Sequence, residues 1–531
     1  MSDLSIEAAS SMLRTATKQV RHDRRFGSQV GASQLRWPEA AALLAIAGWL
    51  ALFWNGPLIN DAGWHLWIGR QLNAGQRLYV DIMEVNPPLW FWAGAVVQRM
   101  AGAAGVPGLA MLVATFAACA TAAVLLVRLL LPHRARERAL IHAGLIVTLF
   151  LTSPFALAQR EQFAFLTVIP YMVLIARRAE GWRTAPALAI AVALLAASGL
   201  ALKHYFALVP IALEAWLLWR TRRFGVRPEL AALALAAAGY VAAIVLLTPE
   251  FLTVMVPLNM LAYGGFGDAP FFAQMNQLPL LAAAFALLAM WVRRRQLGTL
   301  TQAATVITAA FVAIYFLQGK GFAYHAIPAL GGALLCLLLA FGRAGGSLRL
   351  DGDTIAAAVA LLAAIATPQR ADQARYDQAG AKATASLPAG SSIIALSASG
   401  AAAWPLVEDQ RLGWPSRHMT LWMLVPVWVA MEGGELTPEL EQLGRNVTAE
   451  VARDIACSRP SVILVDGRYD LLAGTGGVLG YFARDPAFVR AMQGYERVKD
   501  VDYLQVYRLS EPAEAATDAP CSRVRQPLIA R

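Results

Sequence analysis

Three carboxylates occur close together in a polar, aromatic stretch of this otherwise hydrophobic chain of 531 residues. Asp61, Asp81 and Glu84 lie within residues 60–90, directly after the first long apolar run. A carboxylate at a membrane surface is costly in free energy unless it performs chemistry or finds a partner. These acids are therefore the first candidates for a functional site, and Asp61 lies just beyond the apolar run.

Basic, aromatic and further acidic side chains follow later apolar runs. A carboxylate can deprotonate an incoming hydroxyl, while Lys, Arg and His can neutralise a departing phosphate. These residue types suit transfer from a lipid-linked phosphate donor whose tail lies between helices. Because cationic side chains are available, a metal ion is optional; we expect no cofactor and leave a divalent metal open. The candidates are Arg160 and Glu161, then Lys203, His204 and Tyr205, and then Lys320 and His325.

Membrane-spanning helices must position these side chains. The chain is 58% hydrophobic and 15% charged, and its apolar runs repeatedly reach the roughly 20 residues that span a bilayer. The first run lacks a small-residue cleavage site and is followed by many others, so we expect it to remain as the first span. About eleven spans are predicted, at residues 38–57, 108–131, 139–157, 162–176, 185–202, 205–219, 230–248, 277–292, 300–317, 322–342 and 354–367.

The distribution of Lys and Arg assigns the two sides of the membrane. All basic connectors fall on one side, the positive-inside pattern, if residues 88–104 form a juxtamembrane or re-entrant helix on the outer surface. Residues 1–36 are then a cytoplasmic arm, and residues 37–369 are a transmembrane module whose first external loop is 58–107. Residues 370–531 lie outside, with the candidate acids and bases.

The C-terminal residues 370–531 have the pattern of a soluble α/β domain, with mixed charge and Pro and Gly turns. Short β-like runs occur at 392–396, 462–465 and 503–507, and a helical pattern at 438–457. The net charge of +10 resides in the membrane half of the chain. The positive charge therefore reflects the basic connectors on one side of the membrane and implies no nucleic-acid partner.

Cysteines and short motifs narrow the function classes. Cys457 and Cys521 both lie in the C-terminal domain, where an oxidising compartment would permit a disulfide between them; two free thiols are the alternative. The sequence contains no CxxC, HExxH or Walker loop. Metalloprotease and nucleotide-hydrolase functions therefore lack the residues that their chemistry needs.

The first external loop carries a family resemblance. Its runs are DAGWH at 61–65, GQRLYVD at 75–81 and EVNPPL at 84–89. Together they resemble the corresponding loop of the GT-C glycosyltransferases that use polyprenyl-phosphate sugars, which include protein O-mannosyltransferases and the lipid A aminoarabinose transferase. In that group an acidic residue just after the first helix is catalytic, and a second acidic or polar turn follows the third helix.

The resemblance covers roughly the first 220 residues and implies roles for individual positions. Asp61 matches the catalytic acid, Arg160 and Glu161 match the second turn, and Lys203 is similar to a base that contacts the donor phosphate. Family members often end in a periplasmic soluble domain. Asp61 is followed by Ala62 instead of a second acid, and the sugar stays open.

Sequence and resemblance together predict a polytopic α-helical membrane protein of GT-C type, with a C-terminal soluble α/β domain in the periplasm. The expected activity is an inverting glycosyltransferase of the bacterial inner membrane. Its partners would be the lipid bilayer, a polyprenyl-phosphate sugar, and an envelope glycan, lipid or protein acceptor. The predicted site comprises catalytic Asp61 and Glu161, donor-phosphate contacts Arg160, Lys203, His204, Lys320 and His325, and acceptor or loop-positioning Asp81, Glu84 and Tyr205.

Simpler interpretations exist for the same residues. Asp61 could cap a surface helix, Arg160 and Glu161 could form a local ion pair, and Lys203 could extend to the membrane interface. At the level of function, a multi-span transporter is the first alternative, although the spans show no clear inverted repeat. An envelope assembly protein with a partner-binding periplasmic domain is the second.

Overall fold

The computed structural model describes residues 37–263, 271–275, 277–341, 378–388, 390–468, 474, 476–510 and 528. The predicted cytoplasmic arm at 1–36 and the predicted span at 354–367 lie outside these residues. Cys457 is disulfide-bonded, and Cys521 lies outside the described residues.

Helices make up the described part of the N-terminal module, in agreement with its apolar periodicity. They are α1 (Trp37–Phe53), α2 (Asn60–Asn73), α3 (Leu89–Ala104), α4 (Gly108–Leu130), α5 (Ala135–Ala156), α6 (Arg160–Ala179), α7 (Pro186–Leu200), α8 (Leu208–Thr221), α9 (Pro228–Leu247), α10 (Phe251–Tyr263), α11 (Phe271–Met275), α12 (Leu278–Val292), α13 (Thr299–Gln318) and α14 (Ile327–Phe341).

Six of the described helical segments are long and apolar enough to cross a membrane, by length and composition. Shorter apolar helices, among them α1, α7 and α12, accompany them. The multi-pass helical character is therefore confirmed, while the number of eleven spans stays a prediction. The six segments are α4, α5, α6, α9, α13 and residues Ala323–Ala340.

Helix α6 is the centre of the bundle. Every side chain from Arg160 to Arg177 is buried, and α4, α7, α8, α13 and α14 pack around it. In contrast, α9 buries little of its apolar surface against the protein. Since α6 begins at Arg160, its first turn carries two charged side chains, Arg160 and Glu161, into the interior of the bundle.

Helices α2 and α3, which precede the first long helix in the sequence, pack closely against each other. At Gly69 an added Cβ atom would lie 2.5 Å from the carbonyl carbon of Gly94, so the two backbones are in direct contact. The amide of Asn73 donates to the carbonyl of Ala95 over 2.8 Å. This pairing explains why residues 89–104 are helical, as predicted, although they are short for a span.

Helix α10 lies between the predicted spans 230–248 and 277–292 and was not itself predicted. The helix buries Met255, Leu258 and Ala262, a spacing that places them on one face. Asn259 donates to the carbonyl of Val85 over 3.1 Å. The helix is thus held against the first loop.

The described C-terminal residues contain four strands and several short helices. The elements are β1 (Ile393–Leu396), α15 (Leu406–Asp409), α16 (Val425–Gly433), α17 (Pro438–Ser458), β2 (Val462–Asp466), α18 (Gly477–Phe482), α19 (Pro486–Ala491), β3 (Tyr495–Val501) and β4 (Leu504–Leu509). The strands form a mixed sheet of order β1-β2-β4-β3. Strand β3 was not predicted: most of its side chains are exposed, and the turn that leads to β4 has Asp502 at a positive φ of 57° instead of a glycine.

Candidate active site

Asp61 lies at the start of α2, but its side chain does not cap the helix. The N-cap position is Ile59, and the Asp61 backbone N–H donates to the side chain of Asn60 over 2.8 Å. The Asp61 carboxylate instead accepts from Gln159 Nε2 at 3.2 Å and lies 4.0 Å from a guanidinium nitrogen of Arg160. Its side chain is 30% exposed, so it is accessible to a substrate.

Arg160 and Glu161 are neighbours in the sequence but have different surroundings. The Arg160 side chain is only 8% exposed and faces Asp61. Its NH1 atom is buried and has no hydrogen-bond partner among the described residues. Buried polar groups are almost always paired, so this guanidinium retains capacity for an anionic ligand. Glu161, in contrast, is fully buried and pairs with Lys203.

Lys203 is the centre of a buried polar cluster. Its ammonium lies 2.5 Å from Glu161 Oε1, 3.0 Å from Gln318 Oε1 and 3.1 Å from His325 Nε2. An ammonium has three N–H donors and no acceptor, so these contacts use all of its donors. Burial lowers the pKa of Lys203, and Glu161 opposes that effect. The structure therefore brings Lys203 and His325 to the site, with Lys203 engaged by the protein itself.

Glu84 organises the turn that precedes α3. One carboxylate oxygen accepts from Trp64 Nε1 at 2.7 Å, and the other accepts from the backbone and the side-chain amide of Asn86 at 3.0 and 2.6 Å. Burial raises the pKa of Glu84, although Arg160 and these hydrogen bonds act in the opposite direction. Earlier in the same loop, the Asp81 carboxylate accepts a hydrogen bond from the backbone N–H of Arg77 over 2.8 Å and so stabilises the turn between them.

Two adjoining cavities surround these groups. The polar cavity, of about 160 Å³, is lined by Asp61, Glu84, Gln159, Arg160 and Tyr324, among others. The apolar cavity, of about 1410 Å³, lies among α7, α8, α9 and α10. The two cavities share a wall, which is formed by five residues that line both of them: Val85, Asn86, Lys203, Tyr263 and His325.

The remaining predicted residues lie at the apolar cavity or outside both cavities. His204, Tyr205 and Lys320 line the apolar cavity, and the Lys320 ammonium donates to the carbonyl of Tyr263 over 2.9 Å. Asp81 and Glu161 line neither cavity, and the other predicted acids and bases line the polar cavity, the apolar cavity or the wall that the two share.

Sequence reasoning missed several residues of the polar cavity. Tyr263 ends the unpredicted helix α10, and Met419, Thr420 and Trp422 come from the C-terminal region. No local pattern distinguishes them, because they reach the cavity through contacts distant in the sequence. Among the described residues, no group of three or more His, Cys, Asp or Glu side chains could hold a metal ion.

Comparison with known proteins supports the fold. The sequence matches no protein-family model and no curated protein. Among solved structures, the chain is similar to the crystal structure of ArnT from Cupriavidus metallidurans bound to undecaprenyl phosphate. The TM-score is 0.53 and the identity 12%, over 91% of this chain and 100% of that chain. At this identity the similarity shows a shared fold alone.

Proposed function

We propose that this protein is an inverting glycosyltransferase of the bacterial inner membrane that takes a sugar from a polyprenyl-phosphate donor. The sugar would pass to a glycan, lipid or protein of the envelope on the periplasmic face. One observation carries the proposal. The buried guanidinium of Arg160, one nitrogen of which has no hydrogen-bond partner in the described part of the chain, lies beside the Asp61 carboxylate in a polar cavity that shares a wall with a large apolar cavity.

This pair of compartments matches the two halves of a lipid-linked donor. The apolar cavity would take part of the polyprenyl chain, because burial of apolar surface is favourable only for an apolar ligand. The phosphate and the sugar would lie in the polar cavity. The ArnT structure to which this fold is similar is bound to undecaprenyl phosphate, which supports a donor of this chemical class.

The proposed reaction is a single displacement. The Asp61 carboxylate accepts the proton of an acceptor hydroxyl, whose oxygen then forms a bond to the anomeric carbon of the donor sugar. The bond between that carbon and the phosphate oxygen breaks, and the electron pair leaves with the lipid phosphate. Arg160 and the positive end of the α6 dipole would stabilise the charge of this leaving group.

The other predicted residues would act around this centre. Glu161 was predicted to be catalytic; because it is enclosed and paired with Lys203, we propose that it positions Lys203 in the wall between the cavities. His325 would support the same wall, and His204, Tyr205 and Lys320 would contact the donor from the apolar side. Glu84 would hold the first loop through Trp64 and Asn86.

Asp61→Asn tests this mechanism, and Asp500→Asn, at an exposed aspartate of β3 that pairs with Arg497, is the control. A deletion strain is complemented with each variant, and its envelope glycans and lipids are analysed by mass spectrometry. We expect Asp61→Asn to abolish the product that the wild type restores, because the amide cannot accept the proton. Asp500→Asn should restore the product. Product at the wild-type level with Asp61→Asn would remove Asp61 from the mechanism.

A further inference from the structure

A segment of the C-terminal region forms part of the polar cavity. Met419, Thr420 and Trp422 line the polar cavity together with Asp61, and none of these four lines the apolar cavity. The Trp422 ring lies 5.8 Å from the ring of Tyr263 in an edge-on arrangement. The C-terminal region therefore contributes directly to the polar cavity, in which the proposed base Asp61 lies.

This segment is anchored by a buried ionic cluster. Glu450 of α17 lies 2.6 Å from Arg417 Nε and 3.3 Å from His418 Nε2, and all three residues are buried. Burial alone would raise the pKa of Glu450, but the contacts with His418 and Arg417 outweigh it and lower the pKa to about 2. Glu450 thus stays ionised, and the pair with Arg417 is maintained at any physiological pH.

The same cluster is joined to the first loop of the N-terminal module. The backbone N–H of Met83 donates to the carbonyl of Arg417 over 2.8 Å, and Met83 forms a parallel bridge with His418. A guanidinium nitrogen of Arg417 donates to the carbonyl of Val80 over 3.1 Å. Fixing Arg417 therefore fixes both the loop that carries Glu84 and the segment that carries Trp422.

We infer that residues 419–422 form the acceptor side of the active site and that the cluster of Arg417, His418 and Glu450 holds this side in place. This inference rests on the proposed function. The acceptor hydroxyl must reach Asp61, and the three residues of the segment that line the polar cavity with Asp61 are Met419, Thr420 and Trp422.

The chemistry of this wall specifies an acceptor class. Its three side chains are uncharged and comprise an indole ring, one hydroxyl and a thioether. An aromatic ring packs on an apolar face, and a hydroxyl both donates and accepts hydrogen bonds. These groups fit a neutral sugar ring of an envelope glycan or glycolipid, with its C–H face on Trp422 and a hydroxyl directed to Thr420.

The test separates donor binding from acceptor use. Purified enzyme in nanodiscs is titrated with undecaprenyl phosphate. Transfer is then measured by mass spectrometry with a fixed, saturating amount of the polyprenyl-phosphate lipid fraction of a deletion strain as the donor, against increasing amounts of the remaining envelope extract of that strain. We expect Trp422→Ala to raise the half-saturating amount of extract about tenfold and Thr420→Val to raise it severalfold. The affinity for undecaprenyl phosphate should stay within twofold. Trp219→Ala, an exposed tryptophan of α8, is the control.

The positioning role of Glu450 has its own readout. Glu450→Gln should raise the half-saturating amount of extract while the affinity for undecaprenyl phosphate is retained, and Glu450→Asp should recover part of the loss. A purely structural role would lower the active fraction and leave half-saturation unchanged, which would overturn the positioning role.

Three further outcomes would each overturn a different part of the proposal. Unchanged half-saturation in Trp422→Ala and Thr420→Val, or an equal loss of undecaprenyl phosphate affinity, overturns the acceptor side. A product in which the sugar is attached to a peptide overturns the saccharide acceptor. Failure of the wild type to bind undecaprenyl phosphate overturns the proposed donor itself.

Discussion

Removal of the Lys203 ammonium should expose the energetic importance of the buried cluster. Glu161 is fully buried, and its Oε1 atom lies 2.5 Å from Lys203 and 3.9 Å from His325. Arg160 also interacts electrostatically with Glu161, but neither Arg160 nor His325 approaches the carboxylate as closely as Lys203 does. In Lys203→Met the carboxylate would lose its ammonium partner in the protein interior. Breaking a buried pair in this way costs about 3–5 kcal/mol of unfolding free energy.

The double variant Glu161→Gln/Lys203→Met provides the internal comparison. It removes both charges, so the unpaired carboxylate no longer exists. We expect it to be more stable than Lys203→Met, with a coupling energy of about 2–3 kcal/mol between the two substitutions. Gln318 and His325 would still lack their donor, so recovery would be incomplete.

Chemical unfolding in detergent, followed by tryptophan fluorescence, measures these differences. Arg445→Met, which removes an exposed ion pair with Glu441 on α17, is the control and should change the stability little, because exposed pairs contribute little. A loss of unfolding free energy below about 1 kcal/mol in Lys203→Met would show that Lys203 and Glu161 do not form a strongly stabilising pair. So would a double variant whose loss equals the sum of the two single losses.

Two further predictions concern the first loop and its contact with the C-terminal region. Gly69→Ala should lower the unfolding free energy by about 1–3 kcal/mol, because its Cβ would lie 2.5 Å from the backbone of Gly94. Gly102→Ala, whose Cβ meets nothing within 4 Å, should be neutral or stabilising by up to about 1 kcal/mol; equal thermal unfolding temperatures for the two variants would contradict the α2–α3 contact. Burial raises the pKa of Glu408 to about 7, although Arg70 lies 2.8 Å away. Since this value exceeds the ordinary 4.5, its contribution to stability is complete below pH 4.5 and is lost as pH rises through about 7. Glu408→Gln should therefore flatten the fall in unfolding temperature over that interval, and an unchanged pH slope would show that Glu408 is not its source.

Features of the protein that depend on local patterns were predictable from the sequence. Runs of apolar residues predicted the spans, and the helix that begins at Arg160 was anticipated to within two residues of its start. The parallel strands β1 and β2 were also predicted, because continuous buried apolar runs identify them. These inferences succeed because helical and strand periodicity are set by neighbouring residues.

Packing between distant segments determines which charged groups retain capacity for a substrate. Lys203 contacts residues that are 42, 115 and 122 positions away in the sequence, and these contacts occupy all of its donors. Arg160, in contrast, has a guanidinium nitrogen without a hydrogen-bond partner among the residues that the structure describes. Similarly, Trp422 lines the polar cavity beside Tyr263, a residue 159 positions earlier in the sequence. Partners of this kind are fixed by packing between distant segments, and hydrophobic periodicity carries no information about them.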